Sequence, residues 1–330
     1  MLVLVEKLYL LYSLENQPLA REELGALIEI AVPESRILAE AEGLVLLEAR
    51  VEDVRRAFSR SAYILEYGEL LSYGSIDEVE QVVEEAVAKK GYSSPAIHAK
   101  SIKSYGREAL SKLEKLSLKN SRRGYLRVVA SESLVAAGVP LEKLKISRAI
   151  KPRARAVTGA LDPRVSRALV NLSRLREGGV FLDPFCGTGN LAIEACSVGA
   201  SRALCSDIDS SMCGVSRVNA EKAGVAECVE VLRSDAREQP HPGESLDAVA
   251  TDPPYGRSSS TRGEGYERLV EEFLEESLDS LKRGSYIVYA GPYELKPWLL
   301  AERVGLVFVK RIHMFVHRSL VREVVVARVP

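Results

Sequence analysis

From Gly179 onward, short apolar runs alternate with helix-like segments, and this constrains the fold more than any other feature of the 330-residue chain. The strand-like runs are "GVFLDPF", "RALCSDID", "CVEVLRSDA", "LDAVATDPP" and "SYIVYAGP". Between them lie "GNLAIEACSVGA", "SSMCGVSRVNAEKAG", a helix over 266–282 and another over 294–303. Parallel strands need long crossovers, which helices supply, so the pattern predicts a parallel sheet with helices on both faces. "LVFVKRIHMFVH" and "VREVVVARV" have no helix between them and predict a hairpin at one edge. Asp162 and Pro163, near the end of a linker over 149–165, form an N-cap and first-turn pair that opens a helix.

The first half is organised differently. An apolar strand, a helix "PLAREELGALIEI", a strand "GLVLLEARV" and "EDVRRAFSR" form a small α+β unit over 1–60. Residues 61–148 continue with "AYILEYGELLSY" and a helix "SIDEVEQVVEEAVAKKG" whose apolar positions 76, 79, 82, 83, 86 and 87 share one face. "AIHAKSIKS", a basic helix "REALSKLEKLSLKN" and one strand, "YLRVVASESLVAAGV", follow.

The net charge of −1 hides an asymmetry: residues 1–88 carry −11, residues 89–155 carry +13, and residues 156–330 carry −3. A block this basic suits a polyanion, nucleic acid above all. No apolar run approaches a membrane span, and the N-terminal run contains Glu6 and Lys7, so a cytoplasmic chain is expected. Five cysteines with no C-x-x-C pair and no His cluster argue against a metal site and predict reduced, mostly buried thiols.

Three acidic strand ends carry the binding chemistry. In "FLDPFCGTGNLAIEA" a buried strand ends at Asp183, a turn with Gly187 and Gly189 follows, and a helix starts near Asn190. The glycines let backbone approach a ligand at the carboxyl end of the sheet, where Asp183 can hold a cationic group. In "ALCSDIDSSM", an acid at the end of the second strand suits ribose hydroxyls, with Asp209 left as an N-cap. In "LRSDA", Asp235 ends the third strand. The fourth string, "AVATDPPYG", places Asp252, Pro253, Pro254 and Tyr255 at the next strand end. An aryl amine is a poor nucleophile because its lone pair is delocalised. A carboxylate on Asp252 and the Pro253 carbonyl can accept its two N–H bonds and turn that lone pair toward a methyl donor. The two prolines hold both acceptors rigid.

"PFCGTGN" after a strand-end aspartate resembles the S-adenosylmethionine loop of class I methyltransferases. "DPPY" resembles the motif of those that methylate exocyclic or planar nitrogens. Together with "DPPYGRSSSTRGEGYERL" and "LDPRVSRALVNL", these strings resemble the tRNA guanosine N2-methyltransferases that act at position ten. The resemblance implies a Rossmann-like α/β methyltransferase domain over 166–330, preceded by a ferredoxin-like unit over 1–60 and a THUMP RNA-binding domain over 61–148. It implies S-adenosylmethionine held by Asp183, Phe185, Cys186, Gly187, Gly189, Asn190, Asp207, Ile208, Asp235, Ala236 and Asp252. In this scheme Asp207 serves the ribose, Asp235 the adenine amine, and Cys186 is a packing residue. Tyr255 stacks on the target base, and transfer to the exocyclic amine is direct, with no metal. Expected phosphate contacts are Lys100, Lys103, Arg107, Lys112, Lys115, Lys119, Arg122 and Arg123, with Arg153 and Arg155 in the linker. The chain departs from the family's His-Pro-Gly-like segment before the first catalytic helix, keeping only Gly159 of it. The expected partner is tRNA, with a monomer or an auxiliary protein subunit both open. The rival readings are a ribosomal RNA or DNA amino-methyltransferase and a non-catalytic RNA-binding protein.

Overall fold

The computed structural model describes residues 5–92, 96–103, 125–143, 150, 153–155, 157, 159–238, 241–255, 265–318 and 320–330. Two compact units divide the chain. One comprises Met1–Leu24, Ala31–Ser59 and Tyr63–Lys145; the other comprises Ile146–Pro330 with the short pieces Gly25–Ile30 and Arg60–Ala62.

The first unit begins with β1 (Glu6–Tyr12), α1 (Gln17–Ala31), β2 (Arg36–Ala41), β3 (Leu44–Ala49), α2 (Val51–Arg60) and β4 (Ile64–Ser75). β1 lies between β3 and β4 and is antiparallel to both, and β2 pairs with β3, which is the ferredoxin-like order. The fourth strand of this motif starts at Ile64, so the expected division at 60/61 falls before the motif is complete. β2 was not apparent as a strand in the sequence. It forms a hairpin with β3 through a turn at Gly43, whose φ is +76°. α3 (Val79–Lys90) follows, ending at Gly91 in the left-handed conformation. β5 (Ala96–Ser101), β6 (Tyr125–Ser131) and β7 (Leu134–Lys143) extend the same sheet in the order β2-β3-β1-β4-β7-β6-β5. "YLRVVASESLVAAGV" is thus a hairpin rather than one strand: Glu132 adopts φ +51° and turns β6 back as β7. Val79, Val82, Val83 and Ala86 of α3 pack on Leu126, Val128 and Val135, as the spacing predicts. The basic helix expected over 107–120 lies outside the described residues.

The second unit starts with α4 (Pro163–Leu172), whose N-cap Asp162 accepts from the amides of Arg164 and Val165. The order is then β8 (Val180–Asp183), α5 (Asn190–Ser197), β9 (Arg202–Asp207), α6 (Ser210–Ala223), β10 (Val229–Arg233) and β11 (Leu246–Thr251). α7 (Tyr266–Ser280), β12 (Leu281–Pro292), α8 (Trp298–Arg303), β13 (Val307–His317) and β14 (Leu320–Arg328) complete it. The sheet order is β10-β9-β8-β11-β12-β14-β13. The first five strands are parallel, and β14 runs antiparallel to both β12 and β13, forming the expected edge hairpin. Successive strands leave β8 to one side through β9 and β10, then resume on its other side at β11. In such sheets ligands bind outside the carboxyl ends of the strands at that reversal, here between Asp183 and Asp252.

The expectation of reduced thiols is corrected. Cys186 is disulfide-bonded to Cys205, and Cys196 to Cys228, leaving Cys213 free and buried. The bonded pairs are 19 and 32 residues apart in sequence. The packing of the cofactor-loop turn and α5 against β9 and the start of β10 brings them together, so no local spacing reveals them.

Candidate active site

β8 is short and wholly buried at its end, so it delivers Asp183 into the protein with 1% of its surface exposed. Asp183 Oδ1 accepts from Thr251 Oγ1 at 2.7 Å and from the Phe185 amide at 3.3 Å. Desolvation pushes its pKa up to about 7 against the pull of those two donors, and Asp207 and Asp252 add repulsion. Phe185 packs edge-on against Phe273 at 5.4 Å. Cys186, besides its disulfide, donates its amide to the Ser206 carbonyl, which pins the turn to β9.

The glycines then do different work. Gly187 has φ +49° with open space where a Cβ would project, so its backbone borders an accessible surface. Gly189 has φ +79° and sits as N-cap of α5. A Cβ there would meet Ser216 at 3.1 Å, so its absence lets α5 pack on α6. Asp207 gathers the turn: its Oδ2 accepts the Gly187 amide at 2.9 Å and its Oδ1 the Asp209 amide at 2.9 Å. The lone pairs of the carboxylate outnumber these donors, the Ile208 amide included, so it keeps acceptor capacity. Asp209 caps α6 by accepting the Ser211 amide, as expected.

A cavity of about 190 Å³ opens at this point. Asp183, Phe185, Cys186, Gly187, Asn190 and Asp252 of the expected set line it, together with Thr188, Leu191, Met212 and Val157, Gly159, Ala160 and Leu161 of the preceding segment. The retained Gly159 therefore sits at the cavity. Gly189, Asp207, Ile208, Asp235 and Ala236 are not in its lining. Ile208 is half-buried and offers its carbonyl to Arg233. Ala236 is buried in the core. Asp235 is engaged by Arg237, with Oδ1 accepting from Nε at 2.9 Å and Oδ2 from the guanidinium at 2.7 Å. An adenine amine at Asp235 has to compete with that pair.

Asp252 follows β11 directly, and desolvation raises its pKa while Arg322 and the Tyr255 hydroxyl oppose the rise. Its Oδ2 lies 3.3 Å from the Arg322 guanidinium, while Oδ1 is buried with no hydrogen-bond partner among the described residues. Pro253 is buried, and Pro254 and Tyr255 are half-buried. Tyr255 packs edge-on against Tyr266 at 6.1 Å, and its hydroxyl accepts from Arg322 Nε at 2.5 Å. Tyr266 in turn donates to the Ala290 carbonyl at 2.9 Å. Gly291 makes room for it, since a Cβ there would fall 2.1 Å from the Tyr266 hydroxyl.

Three groups at the site were not singled out in the sequence: Thr251, Arg322, and a buried network beneath the loop. In the last, Glu194, with none of its surface exposed, accepts from Arg167 Nε at 2.6 Å and from Arg153 at 2.7 Å. Arg153 Nε also donates to Asn190 Oδ1 at 2.7 Å, and Asn190 Nδ2 to the Leu161 carbonyl at 2.7 Å. Arg153, expected as a phosphate contact, is corrected to an internal tie: its side chain is 10% exposed. The available signal was charge inside apolar strings: Glu194 in "NLAIEA" and Arg322 in "VREVVVARV".

Among the other expected phosphate contacts, Lys100 and Arg155 are exposed and Lys103 pairs with Glu42 at 2.6 Å. Arg107, Lys112, Lys115, Lys119, Arg122 and Arg123 lie outside the described residues.

Residues 151–323 match the family model of the RMKL-like methyltransferase domain. The chain belongs to that methyltransferase family. It is 42% identical over 167 residues to the tRNA (guanine(10)-N2)-dimethyltransferase of Methanothermobacter thermautotrophicus, a match covering 50% of this chain and 48% of that protein. It is 31% identical over 267 residues to the tRNA (guanine(6)-N2)-methyltransferase of Thermus thermophilus, covering 79% of this chain and 75% of that protein. The chain spans about half the length of the guanine(10) relatives from Methanothermobacter thermautotrophicus, Methanocaldococcus jannaschii and Pyrococcus abyssi. The crystal structure of TrmN from Thermus thermophilus superposes with a TM-score of 0.53 at 22% identity, over 99% of this chain and 100% of that one, and shares its fold.

S-adenosylmethionine fits the donor set: a buried carboxyl at Asp183 for its cationic end, open backbone at Gly187, and acceptor sites on Asp207 for hydroxyls. Because the Asp183 carboxyl must ionise to hold a cation, affinity for S-adenosylmethionine should rise with pH through about 7. Calorimetric titration should give roughly tenfold weaker binding at pH 6 than at pH 8. Asp183→Asn should remove the dependence; an unchanged slope in that variant would assign it elsewhere. The same raised pKa has a stability consequence of opposite sign. Without ligand, the fold holds this proton more tightly than the unfolded chain, so the contribution is favourable at low pH and fades between roughly pH 4 and 7.

Proposed function

We propose that the protein is an S-adenosylmethionine-dependent tRNA guanosine N2-methyltransferase, forming N2-methylguanosine and N2,N2-dimethylguanosine at position 10. The observation that carries this reading is the Asp252 carboxylate. It lines the cofactor cavity, held by a rigid Pro–Pro pair, with one oxygen buried and without a donor among the described residues. Such an oxygen is costly to bury unless a ligand completes it. An exocyclic amine does so with one N–H, while the Pro253 carbonyl takes the other.

The bound cofactor supplies an electrophilic methyl on a sulfonium. The chain's residues do the rest. Asp252 and Pro253 orient the amine lone pair, Asp183 and the Gly187 turn place the donor, and Asp252 receives the proton that the amine sheds. Tyr255 bounds the pocket in which the flipped guanine lies. The names of the relatives support guanine N2 in tRNA over adenine or DNA. The basic block over 89–155 supplies the phosphate contacts, with Lys100 and Arg155 exposed and residues 61–148 acting as the RNA-binding THUMP domain.

Offering labelled S-adenosylmethionine with unmodified tRNA, ribosomal RNA fragments and duplex DNA tests the substrate class. Label should enter tRNA. Preferential labelling of ribosomal RNA or DNA would overturn the assignment.

A further inference from the structure

We infer that Arg322 is a positioning residue for methyl transfer: it fixes one oxygen of Asp252 and the hydroxyl of Tyr255, so that the other Asp252 oxygen stays free and ionised for the target amine. The inference rests on the reading of Asp252 as acceptor of that amine. Arg322 lies on β14, opposite Pro292 of β12 and Met314 of β13. Because β14 runs antiparallel to β12, its first residues stand at the carboxyl end of the parallel strands. From there the side chain passes the end of β12 to reach the tip of β11.

The contacts divide the labour. Arg322 Nε donates to the Tyr255 hydroxyl at 2.5 Å, and the guanidinium reaches Asp252 Oδ2 at 3.3 Å. The guanidinium carbon also lies 5.8 Å from the centre of the Tyr255 ring. All this occurs with the Arg322 side chain 12% exposed and that of Asp252 16% exposed, where charge interactions are weakly screened. With its lone pair engaged by Arg322, the Tyr255 hydroxyl keeps its own proton to donate toward the site. One planar fork thus sets a carboxylate and a phenol together, a geometry that lysine's point charge does not reproduce.

The arrangement also decides protonation. Among the described residues, the titratable groups that face Asp252 are Asp183 at the end of β8, Tyr255 in its own loop, Tyr266 on α7 and Arg322 on β14. Of these Arg322 alone is cationic. Without it, burial and Asp183 both favour the protonated carboxyl, and a protonated carboxyl no longer accepts at both oxygens.

The test compares wild type, Arg322→Lys and Arg322→Met in single-turnover methyl transfer to tRNA across pH 6 to 9. Arg322→Met should lose on the order of 30-fold in rate at pH 7, with the RNA concentration dependence unchanged, and regain most of the loss by pH 9 as Asp252 ionises unaided. Arg322→Lys should keep more activity and a profile closer to wild type. A uniform loss at every pH, or no loss, would overturn the positioning role. A wild type that transfers no methyl would instead contradict the function, and a second measurement keeps the two apart. Thermal melts of Arg322→Met, Asp252→Asn and the double variant at pH 8 need no activity. The double variant should melt no lower than the worse single one; additive losses would overturn the coupling.

Discussion

Asp252→Ala is expected to reduce methyl transfer by on the order of 10³-fold while S-adenosylmethionine still binds. The carboxylate has no side-chain substitute: Oδ1 is the one side-chain acceptor at the site that is buried and unpartnered among the described residues. The Pro253 carbonyl then holds only one N–H, and the lone pair of the amine falls back into conjugation with its ring. Both the rate and its ratio to the Michaelis constant should fall together, since the interaction matures only as the nitrogen becomes tetrahedral. The variant also leaves Arg322 without its carboxylate, so Asp252→Asn is the cleaner companion. Asparagine keeps the shape but places a donor group beside the guanidinium, and transfer should be lost there too. Single-turnover assays with calorimetry of cofactor binding check both. Retained turnover in either variant would remove Asp252 from the role given to it.

Glu194→Ala is expected to be the most destabilising single change beneath the site. Glu194 has no exposed surface and neutralises two guanidiniums, those of Arg167 and Arg153, whose side chains are 3% and 10% exposed. Removing one member of a buried ionic network strands the others, at a cost of about 3–5 kcal/mol. For a unit of this size that corresponds to a fall of about 10 °C in melting temperature. The effect reaches the cofactor. Arg153 holds Asn190, Asn190 holds the Leu161 carbonyl, and Asn190 and Leu161 line the cavity. Cofactor affinity should therefore drop even at temperatures where the variant is folded. Replacing Glu194, Arg167 and Arg153 together by apolar residues should restore much of the stability without restoring cofactor affinity. Calorimetric melting and binding on the same samples separate the two, and a Glu194→Ala variant that melts like wild type would contradict the network's role.

What was legible in the sequence was what short contiguous strings determine. "DPFCGTGN" gives a strand end, a positive-φ turn and a helix start within a few residues, so Asp183, Gly187 and Gly189 could be placed without a structure. The alternation of strands and helices gave the parallel sheet and its edge hairpin, because each crossover leaves a local periodic trace. What escaped depends on pairing between distant strands. Arg322 becomes part of the site because β14 returns antiparallel beside β12, and nothing near residue 322 announces Asp252. Thr251 was quoted with the motif, yet its bond to Asp183 exists only because β11 lies beside β8. The two disulfides likewise join segments that only the folded turn and helix bring together. Asp235 shows the same limit: an acid at the expected place is engaged by Arg237, two residues along, a competition that a motif cannot display.

In the proposed reaction Asp252 and Pro253 present a guanine N2 to the methyl donor in tRNA. Mass analysis of nucleosides from unmodified tRNA, incubated with the protein and S-adenosylmethionine and fragmented to locate the modified residue, tests it most directly. N2-methylguanosine followed by N2,N2-dimethylguanosine is expected at position 10. Methyl on adenine N6, on another guanosine alone, or on no nucleoside at all would contradict it.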